Sequence, residues 1–232
     1  MQVLFDEIDS IYCIHANNRT DRSHLLSVWT KMHKININIF PAIIDKDGRK
    51  GCALSHIALA KLLLTLKNKY ALVLEDDAVP TDQTFNAQLM SDLVSAIKSD
   101  KFDIIWLGGL PSWNSYQTEW KSVREGPSWT THAMIVNTKY MKWMAQFEYN
   151  NIPIDVELAK APLKMAWIYP SLMEQADTQS NVRRTALSQT GAFGSFLLWW
   201  TGTWRYLVFF KQFFLVFIVS LLITIYISKC RN

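Results

Sequence analysis

Short apolar runs alternate with longer helical patterns along most of this chain, and this alternation limits the folds that it can adopt. The short runs have the length and composition of buried strands, whereas the longer segments repeat apolar residues at helical spacing. Such alternation predicts the α/β fold class, as one domain with a mixed, mostly parallel sheet. Strands are predicted at 11–16, 37–43, 70–76, 102–109 and 132–137, and helices at 52–68, 85–97 and 138–149.

The C-terminal segment has a different composition. Between residues 206 and 228 the one charged side chain is Lys211, and an apolar helix of this length can cross a hydrocarbon core of about 30 Å. We therefore expect a transmembrane anchor at 206–228, an aromatic juxtamembrane segment at 191–205 and a folded domain at 1–190. A buried C-terminal helix and a re-entrant hairpin that includes 196–210 are the alternatives.

The first residues, MQVLFDEIDS, lack the basic region and the apolar core of a signal peptide. We therefore expect a single-pass C-terminal anchor with the domain on the cytosolic side. Two basic residues lie on each side of the apolar run, so the positive-inside rule does not select an orientation.

The net charge of +4 is small, and no run of five or more like charges occurs. This pattern argues against nucleic acid as a partner. The three cysteines, Cys13, Cys52 and Cys230, fit neither a disulfide framework nor a zinc-binding spacing.

Three adjacent carboxylates, Glu75, Asp76 and Asp77, end the apolar run YALVL at 70–74. Ligands of open α/β sheets bind beyond the carboxyl ends of strands, and facing carboxylates there suit a hard divalent cation. In an extended chain Glu75 and Asp77 point to one side and Asp76 to the other. Glu75 and Asp77 are thus predicted to bind metal, and Asp76 a ribose hydroxyl or a basic side chain. The alternative is that these residues only form a turn.

Two polar loops are predicted at the same edge of the sheet. The loop NNRTDR (17–22) follows the first strand and offers Arg19 and Arg22 to phosphate and Asp21 to base or ribose. The segment GRKGCALSH (48–56) brings a flexible Gly51 and a helix N-terminus, which favours anions. An ordinary loop and helix cap is the alternative for the second segment.

Six motifs in order resemble glycosyltransferase family 25, the group of lipooligosaccharide and collagen galactosyltransferases. The resemblance covers about residues 9–182 and begins with NNRTDR after the first strand. It implies a metal-dependent GT-A-like fold that uses a nucleotide sugar, with inversion at the anomeric carbon. The other motifs are GCALSH (51–56) before YALVLEDDAV (70–79), FDIIWLGG (102–109), THAMIVN (131–137), PIDVELAK (153–160) and YPSLMEQADTQSNV (169–182).

The resemblance also implies roles for single residues. Asp77 becomes the best metal ligand, with Glu75 and Asp76 supporting, and the ion expected is a divalent cation, Mn²⁺ first. Asp155 is the candidate general base or acceptor-binding residue, with Glu157 in reserve; a helix N-cap is the alternative for Asp155. The predicted nucleotide-sugar-binding residues are Arg19, Asp21, Arg22, Gly51, Ser55, His56, Asp76, His132 and Gln175, and the third metal ligand is His132, Gln175 or water.

The expected activity is transfer of a hexose, galactose first, from a UDP-sugar to a hydroxyl of a glycan, glycolipid or glycoprotein. A membrane-held enzyme suggests a lipid-linked or membrane-proximal acceptor. Two alternatives belong to other classes. One is an inactive, membrane-anchored relative that acts as a scaffold, and the other is a calcium-binding interaction module that uses the acidic tip.

Overall fold

The computed structural model describes residues 2–22, 30–31, 35–109 and 115–176. The chain divides into two units, Met1–Ser188 and Gln189–Asn232. The predicted juxtamembrane segment and anchor lie outside the described residues, so they stay predictions. Within the described residues, no helix combines the length and apolarity that a membrane span requires.

Ten strands and five α-helices make up the described domain. The strands are β1 (Ser10–His15), β2 (Asn38–Pro41), β3 (Tyr70–Glu75), β4 (Ala78–Pro80), β5 (Ile104–Trp106), β6 (Tyr116–Gln117), β7 (Val123–Glu125), β8 (Ala133–Asn137), β9 (Met165–Ile168) and β10 (Met173–Gln175). The helices are α1 (Gln2–Phe5), α2 (Gly48–Thr65), α3 (Ala87–Lys98), α4 (Thr138–Gln146) and α5 (Ile154–Leu158), with 3₁₀ turns at Thr20–Arg22 and Asp82–Phe85.

Eight strands form one sheet in the order β2-β1-β3-β8-β5-β9-β7-β6, and β4 pairs with β10 in a small second sheet. The large sheet is mixed, as predicted, but it is not mostly parallel. Three pairings are parallel, β1 with β2, β1 with β3, and β5 with β9, whereas the other four are antiparallel. Parallel neighbours need a crossover, usually a helix. The described residues between β5 and β8 form a hairpin instead, and β8 enters between β3 and β5 in the reverse direction.

Helices cover both faces of the central strands. Leu72 and Leu74 of β3 pack into the core on the side of α1 and α3, whereas Ala71 and Val73 pack into the core on the side of α2 and α4. A strand buried on both faces reads as a continuous apolar run rather than as an alternating one. This explains why YALVL was recognisable as a strand from sequence.

Helix boundaries differ from the predicted ones where side chains cap the backbone. The carboxylate of Asp47 accepts from the Arg49 amide and starts α2 at Gly48, four residues before the predicted start. Asn86 caps α3 in the same way, so Phe85 falls in the preceding 3₁₀ turn and is 70% exposed. The predicted start of this helix at residue 85 is therefore two residues too early.

Candidate active site

The predicted polar residues meet at one edge of the sheet. The carboxyl ends of β1 and β3 lie at this edge because the two strands are parallel, and the start of β8 joins them because β8 is antiparallel to β3. Strand β10 pairs with β4 immediately beyond the acidic tip. Residues that are far apart in the sequence are therefore neighbours around Glu75, Asp76 and Asp77.

Both carboxylate oxygens of Asp76 have hydrogen-bond partners within the protein. One carboxylate oxygen accepts from the Ala16 amide at 3.0 Å and lies 2.9 Å from Nδ1 of His15. The other accepts from Arg22 at 2.5 Å. The sequence predicted a basic partner or a ribose hydroxyl for Asp76, and in the structure the basic partner is Arg22. The buried Asp76 carboxylate thus joins the ends of β1 and β3 to the following 3₁₀ turn.

Asp77 is buried, with only 2% of its surface exposed, but its hydrogen bonding is incomplete. Its Oδ2 accepts from the Gln175 amide at 3.0 Å and lies 3.2 Å from Arg22. Its Oδ1 has no hydrogen-bond partner among the described residues. Burial and the nearby charge of Glu75 raise the pKa of Asp77 from 3.8 to about 6, against the opposing effect of Arg22. A cation or a hydrogen-bond donor at Oδ1 would satisfy this oxygen and would also stabilise the charged form of the buried carboxylate.

Glu75 faces a different set of side chains. Its Oε1 accepts from the Thr131 hydroxyl at 2.5 Å, and lies 3.3 Å from Nε2 of His56 and 3.9 Å from Sγ of Cys52. Burial by itself would raise the pKa of Glu75, but hydrogen bonding and the charge of His56 outweigh it and lower the pKa to about 2. Glu75 is therefore a carboxylate at neutral pH.

The two predicted catalytic carboxylates differ in environment. Asp155 lies in the first turn of α5, which Pro153 caps, so Asp155 is not the N-cap residue. Burial, and then the charge of Glu75, raise the pKa of Asp155 although its carboxylate accepts from the Val156 amide. The Glu157 carboxylate instead lies 3.6 Å from Nζ of Lys160, which follows the end of α5. Asp155 thus senses the charge of Glu75, and a buried carboxyl with a raised pKa is a common feature of functional sites.

Two predicted binding residues, Gly51 and Ser55, have structural roles. The Ser55 hydroxyl accepts from the Ile43 amide at 2.8 Å and donates to the Gly51 carbonyl at 2.7 Å, and Ser55 is buried. A Cβ at Gly51 would lie 2.7 Å from the Ile43 carbonyl oxygen. Gly51 is needed because α2 approaches the preceding loop closely at this position.

The remaining predicted residues, His132, Arg19 and Asp21, lie at the same edge of the sheet. His132 is buried just before β8, and its carbonyl accepts from the Glu75 amide at 2.8 Å. Arg19 precedes the 3₁₀ turn that Arg22 ends, and its carbonyl accepts from the Arg22 amide at 3.0 Å. Asp21 lies in that turn, and its side chain is outside the described set.

Four residues of the site were missed from the sequence. They are His15, Cys52, Thr131 and Tyr140, whose hydroxyl is buried without a hydrogen-bond partner among the described residues. The position of His15 at the end of a predicted strand was the one available signal. The other three become recognisable only when β8, α2 and α4 are packed around β3.

The fold and the site together define an α/β domain with a cluster of buried carboxylates at the carboxyl edge of β1 and β3. Residues 46–152, slightly less than half of the chain, match the family model of glycosyltransferase family 25 (LPS biosynthesis protein). The match confirms the family resemblance that the motifs indicated, and it supports a glycosyltransferase.

Comparison with curated proteins finds no match. Among solved structures, A197 from STIV is similar with a TM-score of 0.46 and 14% identity, over 71% of this chain and 83% of the other. A glycosyltransferase involved in the glycosylation of the major capsid of PBCV-1 is similar with a TM-score of 0.40 and 11% identity, over 75% of this chain and 96% of the other.

Proposed function

We propose that this protein is a metal-dependent inverting glycosyltransferase that transfers a hexose from a UDP-sugar to an acceptor hydroxyl. The observation that carries the proposal is Asp77. It is a buried carboxylate with one oxygen lacking a hydrogen-bond partner among the described residues, at the carboxyl end of a central strand. Leaving such an oxygen unsatisfied is costly in a resting fold, and a bound ligand would compensate for that cost.

The residues present fit a hard divalent cation. Asp77 would be the principal ligand, and Glu75, close enough to raise the pKa of Asp77, would support it. Carboxylate oxygens suit Mn²⁺ and Mg²⁺, and Mn²⁺ remains the first candidate. When bound, the cation would supply positive charge to the diphosphate leaving group.

Arg22 supplies positive charge of its own. Its guanidinium contacts Asp76 at 2.5 Å and Asp77 at 3.2 Å, and it is buried at the edge where the donor is proposed to bind. We expect it to keep the two carboxylates in place and to offer its remaining N–H groups to phosphate oxygens. Its Nε is buried and has no hydrogen-bond partner among the described residues, so this N–H group is available to a ligand.

Asp155 is the proposed base. As the acceptor hydroxyl attacks the anomeric carbon, its proton passes to the Asp155 carboxylate while the bond from that carbon to the nucleotide diphosphate breaks. The new glycosidic bond forms on the opposite face of the sugar, and the proton is later lost to solvent. A raised pKa makes Asp155 a better proton acceptor than an ordinary aspartate.

The acceptor and the sugar are proposed on family grounds. Galactose is the first donor sugar to test, and the acceptor is a hydroxyl of a glycan, glycolipid or glycoprotein. If residues 206–228 form a membrane anchor with the domain on the cytosolic side, a lipid-linked acceptor becomes the preferred one.

The test is release of free nucleotide from UDP-, GDP- and CMP-sugars by the full chain, with and without Mn²⁺. We expect release from a UDP-sugar only with the metal, and a loss of at least about 100-fold in Asp77→Asn. The matched control is Asp82→Asn, which changes an exposed aspartate on the neighbouring 3₁₀ turn. Full activity in Asp77→Asn, or release without added metal in chelator-treated protein, would contradict the proposal.

A further inference from the structure

Three different metal-ligating atoms converge on the inner side of the acidic tip. They are Sγ of Cys52, Nε2 of His56 and Oε1 of Glu75, and all three lie within 4.8 Å of one another. Cys52 and His56 lie one helical turn apart on α2, and Glu75 ends β3. The ligands therefore come from two rigid elements that pack together in the core.

The separations fit a tetrahedral ion. With metal–sulfur bonds of about 2.3 Å and metal–nitrogen and metal–oxygen bonds of about 2.0–2.2 Å, ligand atoms at tetrahedral angles are about 3.3–3.6 Å apart. The observed His56–Glu75 separation is 3.3 Å, and the Cys52–Glu75 separation is 3.9 Å. The His56–Glu75 separation is thus already tetrahedral, the Cys52–Glu75 separation is a few tenths of an ångström too long, and a movement of the Cys52 side chain toward the other two ligands would form three corners of a tetrahedron.

The chemistry of this ligand set differs from that of Asp77. Thiolate and imidazole select borderline or soft ions such as Zn²⁺, whereas Mn²⁺ prefers an oxygen-rich set. The Thr131 hydroxyl, 2.5 Å from Oε1 of Glu75, would orient this carboxylate from outside the ligand shell. The Glu75 side chain is 22% exposed, which leaves room for entry of an ion and for a water as fourth ligand.

We propose that Cys52, His56 and Glu75 form a binding site for a zinc-like divalent cation, separate from the metal that Asp77 would hold. On binding, the Cys52 thiol and Nε2 of His56 each give up a proton to solvent, so that a thiolate sulfur and an unprotonated imidazole nitrogen bond to the ion. Glu75 contributes Oε1, which leaves its second oxygen for the other site. The proposal does not depend on glycosyl transfer.

Cobalt absorption tests the site in the full chain. Co²⁺ replaces Zn²⁺ in such sites, and a cysteine ligand gives a thiolate-to-cobalt band in the near ultraviolet. We expect this band to appear on titration with Co²⁺ and to disappear on addition of Zn²⁺. The band should be absent in Cys52→Ser and present in Asp77→Asn, which is the matched control. If the function proposed above is correct, Asp77→Asn would lose nucleotide release although it keeps the band.

Alkylation of the wild-type chain provides a second test that does not require Cys52→Ser to fold. In the wild-type chain, Zn²⁺ should slow iodoacetamide modification of Cys52 by about tenfold or more, since a metal-bound sulfur is a weaker nucleophile. Buried Cys13 is the internal control. No cobalt band, a band that persists in Cys52→Ser, or equal alkylation of Cys52 with and without Zn²⁺ would overturn the proposal and leave a hydrogen-bonded cluster only.

Discussion

Each carboxylate of the acidic tip has its own partners, and these partners explain how three adjacent acids are tolerated. Arg22 and His15 contact Asp76, Arg22 and Gln175 contact Asp77, and His56 and Thr131 contact Glu75. The protein itself thus supplies a partner to each of the three carboxylates that the sequence suggested for a divalent cation. Only Asp77 combines deep burial, a raised pKa and an oxygen without a partner among the described residues.

Replacing Asp77 by Asn should stabilise the ligand-free protein at neutral pH. The folded pKa of about 6 exceeds the ordinary 3.8, so the folded state holds its proton more tightly and the free energy of unfolding falls as pH rises from 4 to 6. Removing the charge would recover as much as about 3 kcal/mol. We expect a higher Tm than wild type at pH 7.5 and equal values near pH 4.

The matched control for this stability measurement is Asp82→Asn, whose Tm should follow wild type at both pH values because Asp82 is exposed. A lower Tm for Asp77→Asn at pH 7.5 would show that the ion pair with Arg22 outweighs the cost of burial.

Replacing Asp155 by Asn should remove the base without disturbing the fold. Loss of a general base costs typically about 10²–10⁴-fold, and we expect that loss in kcat with little change in the KM for the donor. In wild type, kcat should fall as pH drops through the pKa of Asp155, which is raised by burial and by Glu75. Glu148→Gln, an exposed carboxylate after α4, is the control. If Asp155→Asn kept the rate and the pH profile of wild type, another residue would have to be the base.

At the scale of elements, β10 packs against the end of β5 and brings Gln175 to the site. Leu107, just after β5, accepts from the amides of Leu172 and Met173 at 2.7 and 3.0 Å. The pairing of β10 with β4 then sets Gln175 opposite Ala78, next to Asp77. Gly108 permits this approach, because a Cβ there would lie 1.8 Å from the Met173 carbonyl oxygen.

Gly108→Ala should consequently displace β10 and weaken both the fold and the site. Overpacking against backbone typically costs about 1–3 kcal/mol, which denaturant unfolding would measure as a lower midpoint. Donor-dependent nucleotide release should fall as well, since Gln175 would move away from Asp77. Gly48→Ala at the start of α2 is the control and should leave both quantities near wild type. Unchanged stability in Gly108→Ala would mean that β10 adjusts without cost.

The sequence predicted the elements better than their pairing. The strand at 70–76 and the helices after it were recognisable because burial on both faces and helical periodicity are local patterns. The reversed direction of β8 could not be predicted, because nothing in the sequence HAMIVN distinguishes a strand with parallel neighbours from one with antiparallel neighbours. The same limit applies to the site: the acidic tip was visible, whereas Cys52, Thr131 and His15 depend on which elements surround β3.

At the scale of the whole molecule, the site collects residues from nearly the full length of the described domain. His15 and Arg22 come from its beginning, Cys52 and Glu75 from its middle, and Asp155 and Gln175 from its end. The family match covers only 46–152. The contributions of Arg22, Asp155 and Gln175 therefore rest on the structure and the motifs; Asp155→Asn tests the second, and Gly108→Ala tests the third through the position of β10.

The hydrogen bond between Gln175 and Asp77 joins residues 98 positions apart. During synthesis, Asp77 leaves the ribosome long before its partner, so an early folded core of β1, β3 and α2 would carry a buried acid whose second contact has not yet been made. Closing so long a loop is slow compared with forming helices. We therefore expect the surroundings of Asp77 to be among the last parts of the domain to form, and a chain that stops short of β10 to lack the contact from Gln175.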